Sequence, residues 1–265
     1  MGRHISGIRT RFRLIKALMT LKTTKWVEIA TAELENQDTH YRSVYGNLNP
    51  IDFFKLLNKR ANKSLKELPA YSILNNFDYF KGNRDLNQVW SAEPDVSRFV
   101  ADIAFLLDAQ TVLETGSFVG ATTTHIAYAL SALGGKRKLY FVDVEQRFLD
   151  LALHNISTLG LNALDLYPVC GSTLSDAIIS SLHTNFDLMF LDSEHVETGL
   201  WKEIQIFLPK LSPKGILLIH DSIRWPGVRR CLLRMQDTHH ILNFATSNRN
   251  GVSAIIPKSC IKDFK

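Results

Sequence analysis

Residues 111–127 read TVLETGSFVGATTTHIA. An apolar strand ends at Glu114, a turn containing Gly116 and Gly120 follows, and a helical run opens at Ala121. Glycine lets backbone approach a ligand that a side chain would hold away, and a helix N-terminus adds partial positive charge. Such a unit at the first strand of an α/β sheet suits a nucleotide-like cofactor. A dinucleotide fingerprint would read G-x-G-x-x-G. This chain has E-x-G-x-x-x-G, with two glycines and an acid before the turn. The same spacing also serves a tight strand-to-helix turn without a ligand.

From this unit the rhythm extends in both directions. PDVSRFVADIAFLLDAQ, ending at Gln110, reads as an amphipathic helix leading into the first strand. Strands are expected at 111–115, 138–144, 164–170, 186–192 and 215–221. Helices are expected near 121–133, 146–159, 173–183, 197–211 and 225–237. Apolar strands separated by helices of this length imply a parallel sheet covered on both faces. The end differs, because HILNFATS and GVSAIIPKS flank the turn NRNG (248–251) and suggest an antiparallel hairpin. The expected fold is α/β, a Rossmann-like doubly wound sheet, mostly parallel, with a C-terminal antiparallel hairpin.

Ligands of open α/β sheets sit beyond the C-terminal strand ends, so strand-end polar residues are the candidates. Asp143 ends the second strand, where a carboxylate can accept both ribose hydroxyls of an adenosyl group or cap the next helix. Alone it fits NAD as well as an adenosyl sulfonium. Gly171, Ser172 and Thr173 follow the third strand, with either hydroxyl able to cap the next helix. Asp192 ends the fourth strand and Asp221 the fifth. Two carboxylates meeting at the mouth of the sheet repel, and a hard cation such as Mg²⁺ would offset this. Glu194 and His195 follow the fourth strand, and histidine can accept a proton near neutral pH. His220 reads as a residue pointing into the sheet or orienting a neighbour. Trp90, Trp201 and Trp225 suit a pocket wall or ordinary packing.

Taken together, residues 93–257 resemble a class I S-adenosylmethionine-dependent methyltransferase. The pattern FDLMFLDSEH, then a helix, then LSPKG and a strand ending in His220–Asp221, is similar to small-molecule O-methyltransferases of the macrocin and catechol types. The resemblance implies S-adenosylmethionine held by Glu114, Gly116, Ser117, Gly120, Thr122, Asp143, Gly171, Ser172, Thr173 and Asp192. It implies catalytic roles for His195, Glu194 and Asp192. It also implies a divalent ion on Asp192 and Asp221, with Ser222 where the family often has a third Asp or Asn. Serine is a poor third ligand.

Residues 1–92 lack the alternation, and helices are expected near 11–31 and 50–66. They read as a mainly helical extension, a lid or dimer contact, before a methyltransferase domain at 93–265. Residues 1–25 hold seven Lys or Arg and no acid, so the formal charge of +5 becomes −2 without them. Phe12, Leu14, Ile15, Leu18, Met19 and Leu21 make this arm a basic amphipathic helix suited to a membrane surface or a subunit partner. Recurrent charge at Arg9, Arg11, Arg13 and Lys16 is unlike a secretory signal. Cys170, Cys231 and Cys260 are far apart and odd in number, as expected of reduced thiols in the cytoplasm.

The expected function is O-methylation of a small hydroxylated metabolite, a sugar or natural product, by a homo-oligomer that does not bind nucleic acid. DSEH stands where a nucleic-acid N6-methylating enzyme carries D/N-P-P-Y/F. The alternatives are small-molecule N-methylation, a NAD-dependent oxidoreductase, and a non-catalytic binding subunit of methyltransferase fold.

Overall fold

The computed structural model describes residues 67–258 apart from 84, 162–163, 183–184, 247 and 249, together with residue 57 and the segments 25–26 and 42–43. Nine strands form one sheet: β1 (Lys25–Trp26), β2 (Arg42–Ser43), β3 (Thr111–Thr115), β4 (Arg137–Asp143), β5 (Leu164–Cys170), β6 (Phe186–Leu191), β7 (Leu211–His220), β8 (His239–Ala245) and β9 (Val252–Pro257). Their order is β1-β8-β9-β7-β6-β3-β4-β5, with β2 also on β8. The central strands β5, β4, β3, β6 and β7 run parallel, and β9 lies antiparallel to both β7 and β8. This is the expected doubly wound sheet with its terminal hairpin.

Helices α1 (Pro94–Leu106), α2 (Ala121–Leu133), α3 (Gln146–Thr158), α4 (Asp176–Ser181), α5 (Glu197–Phe207) and α6 (Pro226–Met235) connect the strands. Successive strand residues face opposite sides. Val112, Leu139, Phe141, Leu188, Phe190 and Leu218 pack in one core with α1, α2 and α3. Leu113, Val142, Met189, Leu191, Leu217 and Ile219 pack in the other with α5 and α6. Strand runs are therefore apolar without alternation, because both faces are covered.

Several boundaries moved. The helix expected from 173 starts at Asp176, because Ser175, rather than Ser172 or Thr173, is its N-cap and accepts from Ile178 N. The helix expected to reach 211 ends at Phe207, where a 3₁₀ turn at Leu208–Lys210 takes over around Pro209. β7 begins at Leu211 rather than 215, since Leu211 pairs with Phe186 before an irregular register.

Residues 67–80 pack on the sheet domain. Tyr71 and Leu74 join the core beside α1 and α2. Arg98 donates to Asn75 Oδ1 at 2.9 Å, and Asn155 donates to Tyr79 O at 2.9 Å. The core therefore begins upstream of 93, where strand–helix alternation starts. Most of the helices expected at 11–31 and 50–66, including the basic arm, lies outside the described residues. Within the first of them Lys25 and Trp26 are strand, parallel to Leu242 and Asn243, so sheet pairing overrides the helical pattern there.

Candidate active site

The chain passes outward from β3 to β4 and β5, then returns to β6 on the other side of β3. The resulting crevice lies between the ends of β3 and β6, the place where such sheets bind ligands. A cleft of about 350 Å³ opens there.

On the β3–β4–β5 side, Gly116 lines the cleft with φ +77°. A Cβ there would lie 2.6 Å from Asp192 O, so the glycine lets the two strand ends close together. Gly120, at φ +80°, does not line the cleft; its missing side chain admits Ala152 of α3. Its expected ligand contact is therefore a helix-packing contact. Asp143 stands at the cleft edge, where its two oxygens accept from Phe118 N at 2.8 Å and Glu145 N at 3.1 Å. Gly171, Ser172 and Thr173 complete this edge.

Three expected cofactor residues lie behind the cleft wall. Thr122 is buried and its hydroxyl meets Ser97 Oγ at 2.8 Å, tying α2 to α1. Ser117 and Glu114 are also buried. Burial, reinforced by the charges of Asp192 and Asp143, holds the Glu114 carboxyl well above its usual range.

On the β6–β7 side, Asp192, Glu194 and His195 line the cleft. His195 Nε2 sits 2.8 Å from Asp221 Oδ2 and 3.6 Å from Asp192 Oδ1. Burial opposes charge on this ring, but Asp192 and Asp221 prevail and raise its pKa to about 9. It is therefore mainly protonated at neutral pH, unlike a histidine near 6.5. Glu194 Oε1 accepts from His195 N and Val196 N, holding the start of α5. Asp221 adopts φ +56° and Phe118 φ +46°, left-handed conformations uncommon outside glycine.

Behind Asp192 lies a buried ion chain. His220 Nδ1 is 2.7 Å from Asp192 Oδ1, and its Nε2 is 2.9 Å from Glu93 Oε2. Burial would raise the Asp192 pKa, but His220 and His195 offset it and leave the carboxyl below its ordinary value. Burial would likewise lower that of His220, but Asp192 and Glu93 push it well above the ordinary value. His220 thus orients a neighbour. Glu93 is the N-cap residue of α1, yet its side chain makes no cap bond.

Sequence reasoning missed Glu93, Phe118, Val142, Val144, Leu174 and Ser193, all at the site. Val144 had a usable signal, an apolar residue directly after the strand-end acid; it is 67% exposed. Ser193 donates to the fully buried Glu203 at 2.6 Å. Of the tryptophans, Trp90 lines the cleft while 69% exposed, and Trp225 lies 5.5 Å from the His195 ring. Trp201 packs elsewhere, under Arg234.

The cleft fits S-adenosylmethionine in its chemistry. Phe118, Val142, Val144 and Leu174 suit a flat ring system, Asp143 suits ribose hydroxyls, and Gly116 leaves backbone close to the ligand. The metal expectation fits poorly. Among the described residues no group of three or more His, Cys, Asp or Glu could hold a metal ion. Asp192 Oδ1 and Asp221 Oδ2 face imidazole nitrogens, and Ser222 is 1% exposed.

Known proteins share this fold. Residues 113–222 match the family model described as a methyltransferase domain. The O-methyltransferase TomG from Streptomyces achromogenes, involved in tomaymycin synthesis and solved with its cofactor SAM, is 17% identical. It matches with a TM-score of 0.55 over 79% of this chain and 96% of that one. An O-methyltransferase from Bacillus cereus in complex with SAH is 15% identical, with a TM-score of 0.56 over 77% and 96% of the two chains. Rv0187 from MTB, cofactor-bound, is 16% identical, with a TM-score of 0.56 over 80% and 99%. A search of curated proteins finds no match. Residues 113–222 therefore match a methyltransferase domain, and the chain has the fold of the class I S-adenosylmethionine-dependent methyltransferases.

Proposed function

We propose that this enzyme methylates a hydroxyl of a small metabolite, a sugar or a natural-product phenol. The observation that carries the reading is His195 at the cleft, with Nε2 held by Asp221 at 2.8 Å. A hydroxyl is a weak nucleophile near neutral pH and needs a group to take its proton. S-adenosylmethionine supplies an activated methyl on a sulfonium. With Nε2–H fixed on Asp221, the neutral form of His195, whose share grows as pH rises toward 9, keeps Nδ1 as the nitrogen that accepts the hydroxyl proton. Asp221 and Asp192 then stabilise the imidazolium, as an aspartate does beside a catalytic histidine. Asp143 and the Gly116 turn hold the cofactor, and Trp225 stands beside the His195 ring on the acceptor side.

Divalent-metal assistance forms no step here, because the oxygens that would bind the ion already face His195 and His220. TomG, an O-methyltransferase of tomaymycin synthesis, supports the natural-product class by analogy. A cytoplasmic homo-oligomer, contacting a membrane surface or subunit through residues 1–25, extends the proposal. A mass-shift screen of hydroxylated and amine acceptors tests it. A gain of one methyl on a hydroxyl supports the reading, and methylation confined to amines replaces it.

A further inference from the structure

β6 and β7 are parallel neighbours, so Asp192 and Asp221 converge where they end. Converging carboxylates need a counter-charge or a donor between them. Here a side chain already lies in that position. His195 Nε2 faces both carboxylates, at 2.8 Å from Asp221 Oδ2 and 3.6 Å from Asp192 Oδ1. Asp192 cannot easily swing away, because His220 bonds the same oxygen from behind and Glu93 holds His220. Asp221 Oδ1 and Ser222 Oγ are buried oxygens without a hydrogen-bond partner among the described residues. They are donors that a cation could use if the ring were absent.

We propose that His195 is a built-in replacement for a divalent cation: its ring fills the space between Asp192 and Asp221 and keeps Mg²⁺ and Mn²⁺ out. A Mg²⁺ ion needs near-octahedral oxygens at about 2.0–2.1 Å, and the imidazole excludes it from this space. The geometry requires only a hydrogen on Nε2, so either the neutral tautomer or the imidazolium satisfies it. The inference rests on the methyl-transfer reading for its purpose, but not for its geometry. It predicts that a latent metal site appears when the ring is removed.

The test is Mn²⁺ titration of the full chain after EDTA dialysis, with free Mn²⁺ read by electron paramagnetic resonance. Wild type should show no saturable binding. His195→Ala should gain one site, at least about tenfold tighter than any wild-type binding, and Asp221→Asn in that background should abolish it. Saturable wild-type binding that Asp221→Asn removes overturns the proposal. So does a folded His195→Ala protein that binds no Mn²⁺. Should the alanine variant not fold, His195→Ser serves the same arm. Calorimetry with S-adenosylmethionine on the same samples keeps the readings apart, since its failure in wild type would strike the methyl-transfer reading and leave the Mn²⁺ result intact.

Discussion

The two halves of the cleft are built by different means. Beyond β3, β4 and β5 the wall sets local backbone features among apolar side chains, with Gly116 in a left-handed turn and Asp143 fixed by two amide donors. Beyond β6 and β7 it is a set of charged side chains, in which Glu93 and His220 meet from 127 positions apart. Local backbone features need special residues at fixed local spacing. A wall made of side chains needs only that the fold deliver them. The first half should therefore govern cofactor affinity, and the second should govern turnover.

The sharpest break between them is His195→Ala. It should lower kcat by roughly 10²–10⁴-fold, the range for a lost general base, while calorimetric affinity for S-adenosylmethionine stays unchanged. An equal loss in both would mean that the halves are not separable. Glu93→Ala strips one carboxylate from the buried His220. Breaking a buried pair costs about 3–5 kcal/mol, so denaturant melts should show a marked loss of stability. An unshifted melt would show that the ion chain does not anchor the acceptor half.

The cofactor half is tested by Asp143→Ala. Hydrogen bonds to a charged group contribute about 1.5–3 kcal/mol, so the cofactor Kd should rise about 10-fold to 10²-fold. At saturating cofactor kcat should be near that of wild type. Unchanged Kd would remove Asp143 from the cofactor site.

The pH profile sharpens the acceptor half. Only neutral imidazole takes a proton, and His195 is held at about 9. Between pH 7 and 9 kcat should climb roughly tenfold per unit and then level. A flat profile would exclude His195 as the base. The smallest effect is expected at Thr122→Val, which removes the bond to Ser97. It should cost about 1 kcal/mol of stability and leave cofactor affinity intact, because Thr122 lies behind the wall.

The same contrast explains what the sequence disclosed. β3, β5 and α2 lie where local pattern put them, because apolar strands and a glycine turn are local signals. Gly116 and Asp143 were legible as residues of the cleft for that reason. Gly120 and Thr122, expected at the cofactor, do not line the cleft, since a ligand-facing glycine loop and one packed on Ala152 or Ser97 read alike in one dimension. Asp192 and Asp221 were legible as converging strand-end acids, but the seating of His195 between them was not. Glu93 gave no signal, because a glutamate before a helical proline reads as the start of a helix.

The seating of β1 and β2 on β8 bears on how the chain is made. Lys25 and Trp26 pair with Leu242 and Asn243, and Arg42 and Ser43 with Ala245 and Phe244. On the ribosome β1 and β2 emerge before the central strands, and their partner β8 emerges after them. Contacts this distant in sequence are slow to close. The outer edge of β8 is therefore sealed only after the central strands have been made. Until then, β1 and β2 must wait without the strand they pair with.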